Sequence, residues 1–269
     1  MLTTEFRITN NVSNAEYQIA QLFNVIEMSK AESGSGDEGV EILKNEPYDD
    51  GVHQGQYTLK MYHLGSRLPS WLTAVLPAGS TTCKEEAWNA FPYCKTVITN
   101  EYMDKSFSVT IETMHVDNDR GKLENALNLP PEKLKDRKVV KIDVAKDAKS
   151  YYLQTFNAEK EDVTLYRSEK AQRGPLQGDW AATCDPVMTC YKVVSIEFVW
   201  WGLQTKTEEY MMAVERDLFT KFHRELFCSL DKWHGLTMDD IRRLETEAKE
   251  ELNLKIQIRK AQQAMKAKK

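Results

Sequence analysis

Apolar and polar positions alternate along much of the chain up to residue 201, and a four-residue rhythm follows. Alternation at 4–8 predicts a strand. Ser13, Asn14, Ala15 and Glu16 then form a helix-start signal, because the serine oxygen and the glutamate carboxylate can satisfy reciprocal orphan amides. The predicted helix carries Tyr17, Leu22, Val25 and Ile26 and runs to about residue 30, where the polar run AESGSGDEG breaks it. Strand-like alternation returns at 39–43, 55–64, 84–88, 94–101 and 107–115, with the apolar segment PSWLTAVLP between the second and third. Residues 117–138 are polar with a Pro-Pro pair and read as a long excursion, and 139–144 and 189–201 read as further strands.

From 206 to 233, Tyr210, Val214, Leu218, Phe222, Leu226 and Leu230 form an i+4 ladder, widened by Met211 and Phe219. A second helix opens at the cap signature Thr237, Met238, Asp239, Asp240 and aligns Ile241, Leu244, Ala248 and Leu252. With no internal repeat and no linker, the pattern predicts one domain over 1–269, a mainly antiparallel sheet packed by a few helices, in the α+β class.

Certain polar residues fall in awkward places. In GQYTLKMYHL, Thr58, Lys60 and Tyr62 share one strand face, with Tyr57, Leu59 and Met61 on the other. Lys192 shares a face with Val194, Ile196, Phe198 and Trp200. Such a lysine must snorkel, pair with an acid or meet an anionic ligand, since burying a bare ammonium is very costly. Cys94, Thr96 and Ile98 share a face, as do Val109, Ile111 and Thr113; the mixture suits either a small-molecule cavity or ordinary buried threonines bonded to the backbone. Trp200 and Trp201, adjacent on a strand, cannot both enter one core, and a turn at Gly202 can expose one of them to a membrane interface or a partner. Trp71 and Leu72 beside Pro69 form a similar protrusion candidate.

Composition narrows the class. The 269 residues carry a net charge of -5, from 36 basic and 41 acidic side chains, which argues against a protein that grips nucleic acid. No run approaches the ~18–20 apolar residues of a membrane-spanning helix, and neither a signal peptide nor a lipidation pattern is evident. Five cysteines (Cys83, Cys94, Cys184, Cys190, Cys228) then read as reduced thiols of a soluble intracellular protein. Six Trp, eleven Tyr and nine Phe make a large aromatic share for a chain with no catalytic motif.

Known chemical motifs are missing. Gly34, Gly36 and Gly39 match a dinucleotide fingerprint, but they follow a helix and precede a strand, the reverse of what pyrophosphate binding needs, so a loop is expected. Cys184 and Cys190 have no nearby histidine or second cysteine pair, so no metal is expected. No Walker loop, HExxH helix or nucleophile elbow occurs.

Several long blocks carry a resemblance: NEPY, GQYTLKMYHL, AWNAFPYCKTVITNEYM, RGPL, FVWWGLQ, LFTKFHRELFC, LDKW and LTMDDIRR. Together they resemble the class I phosphatidylinositol transfer proteins of the single-domain type, in the same order and as far as about Leu252. The resemblance implies a concave, mainly antiparallel sheet closed by long helices around one phospholipid, as in START domains, with 236–269 as part of the lid. It implies no catalysis and no cofactor beyond the bound phosphatidylinositol or phosphatidylcholine. By block-to-block match, the inositol ring falls to Thr58, Lys60, Asn89 and Glu245, and the phosphate to Gln21, Thr96, Thr113 and Lys192. Cys94, Glu215 and Phe222 fall to the pocket, with Glu215 expected to pair with Lys60. Trp200 and Trp201, with Trp71 in an exchange loop over 68–81, fall to membrane contact, and Ser168 aligns with a phosphorylated serine.

A cytoplasmic monomer is implied, in transient contact with Golgi or other membranes and with phosphoinositide kinases as possible partners. Two departures stand out: Ser229 where animal relatives usually have tryptophan, and an unmatched basic tail after Leu252. A lipid hydrolase and a sensor that presents lipid to a kinase stay open as rivals. The first would need a nucleophile–base pair, which the blocks do not offer.

Overall fold

A computed structural model describes residues 1–32, 39–64, 68–74, 80–147 and 162–266. The Gly34–Gly36 loop and part of the 68–81 segment lie outside the described residues. Among these residues eight strands form one sheet: β1 (Leu2–Asn10), β2 (Gly39–Asp49), β3 (Gln54–His63), β4 (Thr82–Ala90), β5 (Tyr93–Thr99), β6 (Phe107–Asp117), β7 (Lys138–Ile142) and β8 (Met188–Phe198). Their order is β2-β3-β4-β5-β6-β8-β1-β7, antiparallel throughout except for the β1–β7 pair. Among the described residues seven α-helices accompany them: α1 (Asn14–Glu32), α2 (Ser70–Thr73), α3 (Pro131–Asp136), α4 (Trp180–Thr183), α5 (Gln204–Cys228), α6 (Leu230–Trp233) and α7 (Met238–Lys266). The architecture is α+β, and no helix among the described residues is long and apolar enough to cross a membrane.

Local chemistry explains the helix starts. At α1 the Ser13 amide donates to Glu16 Oε2 at 2.9 Å and the Glu16 amide to Ser13 Oγ at 3.3 Å, the reciprocal pair expected of S-x-x-E. Arg173 clamps the same carboxylate with two bonds, at 2.9 and 2.8 Å. At α7 the Thr237 amide reaches Asp240 at 2.9 Å and the Asp240 amide reaches Thr237 Oγ1 at 3.2 Å.

The strands expected over 94–101 and 139–144 each stop two residues early, at Thr99 and Ile142, and two further early ends shape the surroundings of the cavity. The last strand stops at Phe198, so Trp200 and Trp201 lie in a turn, where Gly202 takes φ +76°, a conformation that suits glycine. The helix expected over 206–233 breaks at Ser229, whose hydroxyl bonds the Leu226 carbonyl at 3.1 Å while the Trp233 indole takes the same carbonyl at 2.9 Å. The break lets both Leu230 and Trp233 reach the core.

α1 and α5 cover one face of the sheet, with Phe6 of β1 edge-on to Phe219 of α5. At the β1–β8 end the other face is covered as well. There the excursion after β6 is pinned by a buried ionic cluster: Glu5 accepts from Arg7 and Arg137, each at 2.6 Å. Tyr191 donates to Asp119 at 2.6 Å beside it. This double covering accounts for the near-continuous burial of β8. α7 packs on α1 and β2. Its Asn253 side chain accepts from the Ile42 amide at 3.2 Å and donates to the Ile42 carbonyl at 3.1 Å, standing in for a further strand at the sheet edge.

Candidate functional site

Between the sheet and α1, α5 and α7 lies a cavity of about 1750 Å³. That exceeds the ~300–1,000 Å³ of ordinary small-molecule sites. Most of its wall is apolar, and the polar groups are arranged in register. Gln56, Asn89, Cys94, Thr113 and Lys192 are successive cross-strand partners, so one polar row crosses β3, β4, β5, β6 and β8 at a single level. Two steps along lies the row Thr58, Ala87, Thr96, Ile111 and Val194; two steps further lies Lys60, Glu85, Ile98, Val109 and Ile196. On β5, β6 and β8 polarity thus fades toward the end of the cavity where Phe107, Phe198, Leu72 and Trp71 lie, while β3 and β4 keep the charged Lys60 and Glu85.

All eight headgroup and phosphate candidates line this cavity: Thr58, Lys60, Asn89, Glu245, Gln21, Thr96, Thr113 and Lys192. Cys94, Glu215 and Phe222 line it too. Glu245 reaches in from α7, held by Arg242 at 2.7 Å and by the Asn45 amide at 3.3 Å, and Asn45 in turn accepts from Gln56 at 2.7 Å. Asn89 accepts from the Cys94 thiol at 3.1 Å. Gly55 secures the close approach beneath Asn89, since a Cβ there would stand 2.0 Å from the Asn89 carbonyl oxygen. Burial pushes the Cys94 thiol up to about 12, which disfavours the reactive thiolate.

The electrostatics are unbalanced. Lys192 lies 3.5 Å from Thr113 Oγ1 and 5.1 Å above the Phe219 ring, and no carboxylate among the described residues comes within 4.0 Å of its ammonium. Of the three alternatives left open by its sequence position, pairing with an acid is therefore not realised. Nearby, the Gln21 amide nitrogen and His115 Nε2 are buried with no hydrogen-bond partner among the described residues. Lys60 does not pair with Glu215. Its ammonium lies 3.4 Å from Glu85, its register partner across the β3–β4 ladder. Glu215 is left facing Glu85 and Lys192; burial and then repulsion from Glu85 raise its carboxyl to about 7, against the pull of Lys192.

Two histidines beside the polar row stay neutral. His115 donates from Nδ1 to the Pro92 carbonyl at 2.7 Å; His223 donates from Nδ1 to the Phe219 carbonyl at 2.7 Å and accepts from Tyr17 at 3.0 Å. Burial, reinforced by the positive charge of Lys192, lowers both to about 3. Between pH 4.5 and 6.5 the unfolded chain therefore holds two protons on these imidazoles that the folded protein lacks, and the folded protein holds one on Glu215 that the unfolded chain lacks. The difference favours the unfolded state by one proton as pH falls. These three groups predict that stability declines by about 1.4 kcal/mol per pH unit from 6.5 down to 4.5. Urea midpoints across that window check the slope, and His223→Phe should flatten it.

The remaining candidates lie apart. Trp201 is 97% exposed, whereas Trp200 is half-buried and stacks on Phe198. Trp71 does not protrude: it packs edge-on against Tyr210, and the Lys206 ammonium sits 4.2 Å above its ring. Ser168 is fully buried and donates to Asp231 at 2.5 Å; that carboxylate also accepts the Glu169 and Lys170 amides. Sequence reasoning passed over Gln56, Asn45, Glu85 and His115. Extending the period of Thr58 and Lys60 back by two residues would have found Gln56. Among the described residues no cluster of three His, Cys, Asp or Glu could hold a metal.

The sequence profile described as phosphatidylinositol transfer protein matches residues 1–250. Phosphatidylinositol transfer protein 1 of Dictyostelium discoideum is 47% identical over 262 residues, covering 96% of each chain. The human phosphatidylinositol transfer protein beta isoform is 46% identical over 258 residues, covering 94% of this chain and 93% of its own. Phosphatidylinositol transfer protein 2 of Dictyostelium discoideum is 44% identical over 263 residues, covering 97% and 99%. With that agreement running through the strands and helices that build the cavity, this chain belongs to the phosphatidylinositol transfer protein family.

Proposed function

We propose that the protein is a lipid carrier that encloses one phosphatidylinositol or phosphatidylcholine and exchanges it between membranes, without catalysis. The observation that carries this reading is the cavity itself, large and apolar with one polar row and an unpaired ammonium. Each acyl methylene contributes roughly 0.8 kcal/mol against entering water. A two-chain lipid with ~30 of them faces a penalty of order 20 kcal/mol on the same scale. Such a lipid must pass directly from bilayer to cavity.

In this reading the phosphodiester meets Lys192, Thr113, Thr96 and Gln21, and supplies the missing counter-charge. The inositol hydroxyls meet Thr58, Lys60, Asn89 and Glu245, and the acyl chains run toward Phe107 and Phe198. The chain acts as a single domain, with 236–269 as part of the lid; Glu245 and Ala248 of α7 line the cavity. It works as a monomer in the cytoplasm, touching Golgi or other membranes through Trp201, Trp200 and Trp71, and hands its lipid to phosphoinositide kinases. Trp71 must leave the Lys206 contact to do so. Modification of Ser168 as a regulatory step requires its turn to open, because a phosphate there would face Asp231.

Native mass spectrometry of the purified protein should show one phospholipid per chain, and vesicle-to-vesicle assays should show transfer of both lipids. A lipid-free protein that moves neither would overturn the proposal. Headgroup choice rests on hydrogen bonds, so Thr58→Val should reduce phosphatidylinositol transfer by about tenfold while leaving phosphatidylcholine transfer intact. Equal loss of both would remove Thr58 from the headgroup site. Lys60→Ala is the less selective test, since it strips Glu85 of its partner beside Glu215 and lowers stability as well.

A further inference from the structure

α7 has two apolar stripes where one would suffice. Ile241, Ala248, Leu252 and Ile256 are buried toward α1 and β2. Beyond the Asn253 anchor the helix continues to Lys266, and there Leu254, Ile258 and Met265 are 57%, 48% and 71% exposed. At 100° per residue these three fall within about 40° of one another. Leu254 stands about 200° round from Leu252, on the far side of the helix. Single exposed apolar residues are ordinary; an aligned stripe opposite a satisfied inward face is not.

Charge marks the same segment. Glu251 is the last acidic residue, and 252–269 carry six basic ones: Lys255, Arg259, Lys260, Lys266, Lys268 and Lys269. Removing that charge of +6 from the total of -5 leaves -11 on residues 1–251. An acidic body is repelled on balance by an anionic surface, and this end carries the concentrated opposite charge. A helix with one apolar stripe and many lysines and arginines has the make-up of a segment that lies in a bilayer interface. The segment also falls outside the 1–250 that match the family profile.

We propose that the distal part of α7 is a docking element for anionic bilayers, with Leu254, Ile258 and Met265 entering the boundary between headgroups and acyl chains. The basic residues that the sequence supplies to the same segment, Lys255 foremost, select phosphatidylserine-like or other anionic lipids. This contact is separate from the one assigned to Trp201.

Co-sedimentation of the full chain with phosphatidylcholine vesicles, with and without phosphatidylserine, tests it. Wild type should prefer the anionic vesicles by about tenfold or more at low salt, and high salt should erase the preference. Leu254→Glu with Ile258→Glu should abolish the preference without lowering the melting temperature, as should Lys255→Glu with Arg259→Glu and Lys260→Glu. Trp201→Ala should weaken binding to both vesicles alike and keep their ratio, so failure of one contact is distinguishable from failure of the other. Equal binding of wild type to both vesicles would overturn the proposal. So would full anionic preference in the Leu254→Glu, Ile258→Glu variant, or a wild-type dimer which that variant dissolves.

Discussion

Lys192→Met should abolish retention of both phosphatidylinositol and phosphatidylcholine while leaving protein stripped of lipid at least as stable as stripped wild type. The two halves of this expectation have one cause. Within the cavity the ammonium has a hydroxyl at 3.5 Å and an aromatic face at 5.1 Å, but no carboxylate among the described residues within 4.0 Å. Replacing it with an apolar side chain of similar length removes an uncompensated charge and fills the same space. In the proposed lipid complex the same replacement would leave the phosphodiester buried with only neutral partners. Breaking a buried pair from one side costs about 3–5 kcal/mol, on the order of a hundredfold or more in affinity.

A merely structural lysine would behave in the opposite way, with stability lost and lipid affinity unchanged. The neighbours provide a second readout. Lys192 helps hold His115 and His223 down and opposes the rise of Glu215. In the variant all three should therefore titrate at higher pH, the histidines moving up from about 3 and the glutamate up from about 7. Unmoved histidine titrations, or undiminished phospholipid retention, would show that the ammonium does not face the phosphate site.

Much of the cavity wall is legible in strand alternation alone. Period two places Thr58 with Lys60, Cys94 with Thr96, and Lys192 with Val194, and the sheet stacks these faces on one side. What alternation cannot supply is register, and register is what makes Lys60 the neighbour of Glu85 and aligns Gln56 through Lys192 in one row. The spacing of Lys60 and Glu215 along the chain carries no information about their distance, and the shorter cross-strand route to Glu85 prevails.

Asn45 is hidden for a sharper reason. A register shift between Ile42 and Lys44 reverses which side of β2 faces inward, so Val40 and Ile42 point to the core at even positions while Asn45 joins Glu245 and Gln56 from an odd one. The end of β8 is obscured similarly: alternation extended through Trp200 and Trp201 suggests continued strand, but pairing stops at Phe198 and the two tryptophans enter a turn that the positive φ at Gly202 completes. The histidines fail to announce themselves because neither matches a ligand motif. Their neutrality is created by burial and by Lys192, both products of the tertiary fold.

Trp201→Ala should slow transfer of both lipids by a similar factor without changing the melting temperature. At 97% exposure the indole contributes no packing to the folded protein, so nothing is lost by its removal in water. At a bilayer interface the situation differs. If about half of a ~200 Å² indole leaves water, at ~25 cal/mol per Å² the gain is about 2.5 kcal/mol. That corresponds to a loss on the order of fiftyfold in vesicle affinity for the variant.

Trp200→Ala is the poorer test, because Trp200 also stacks on Phe198 and its loss should lower stability. Exposed neighbours favour this end of the sheet as the contact: Val199 and Tyr102 are both exposed, and the Val199 amide donates to the Ser106 carbonyl at 2.7 Å, tying the two turns together. Val52, equally apolar and 83% exposed but in the β2–β3 turn, serves as the control, and Val52→Ser should leave vesicle binding unchanged. Undiminished binding by Trp201→Ala would sink the interface assignment. A loss confined to one lipid would do so as well, because a residue that touches the bilayer rather than the cavity cannot distinguish headgroups held inside.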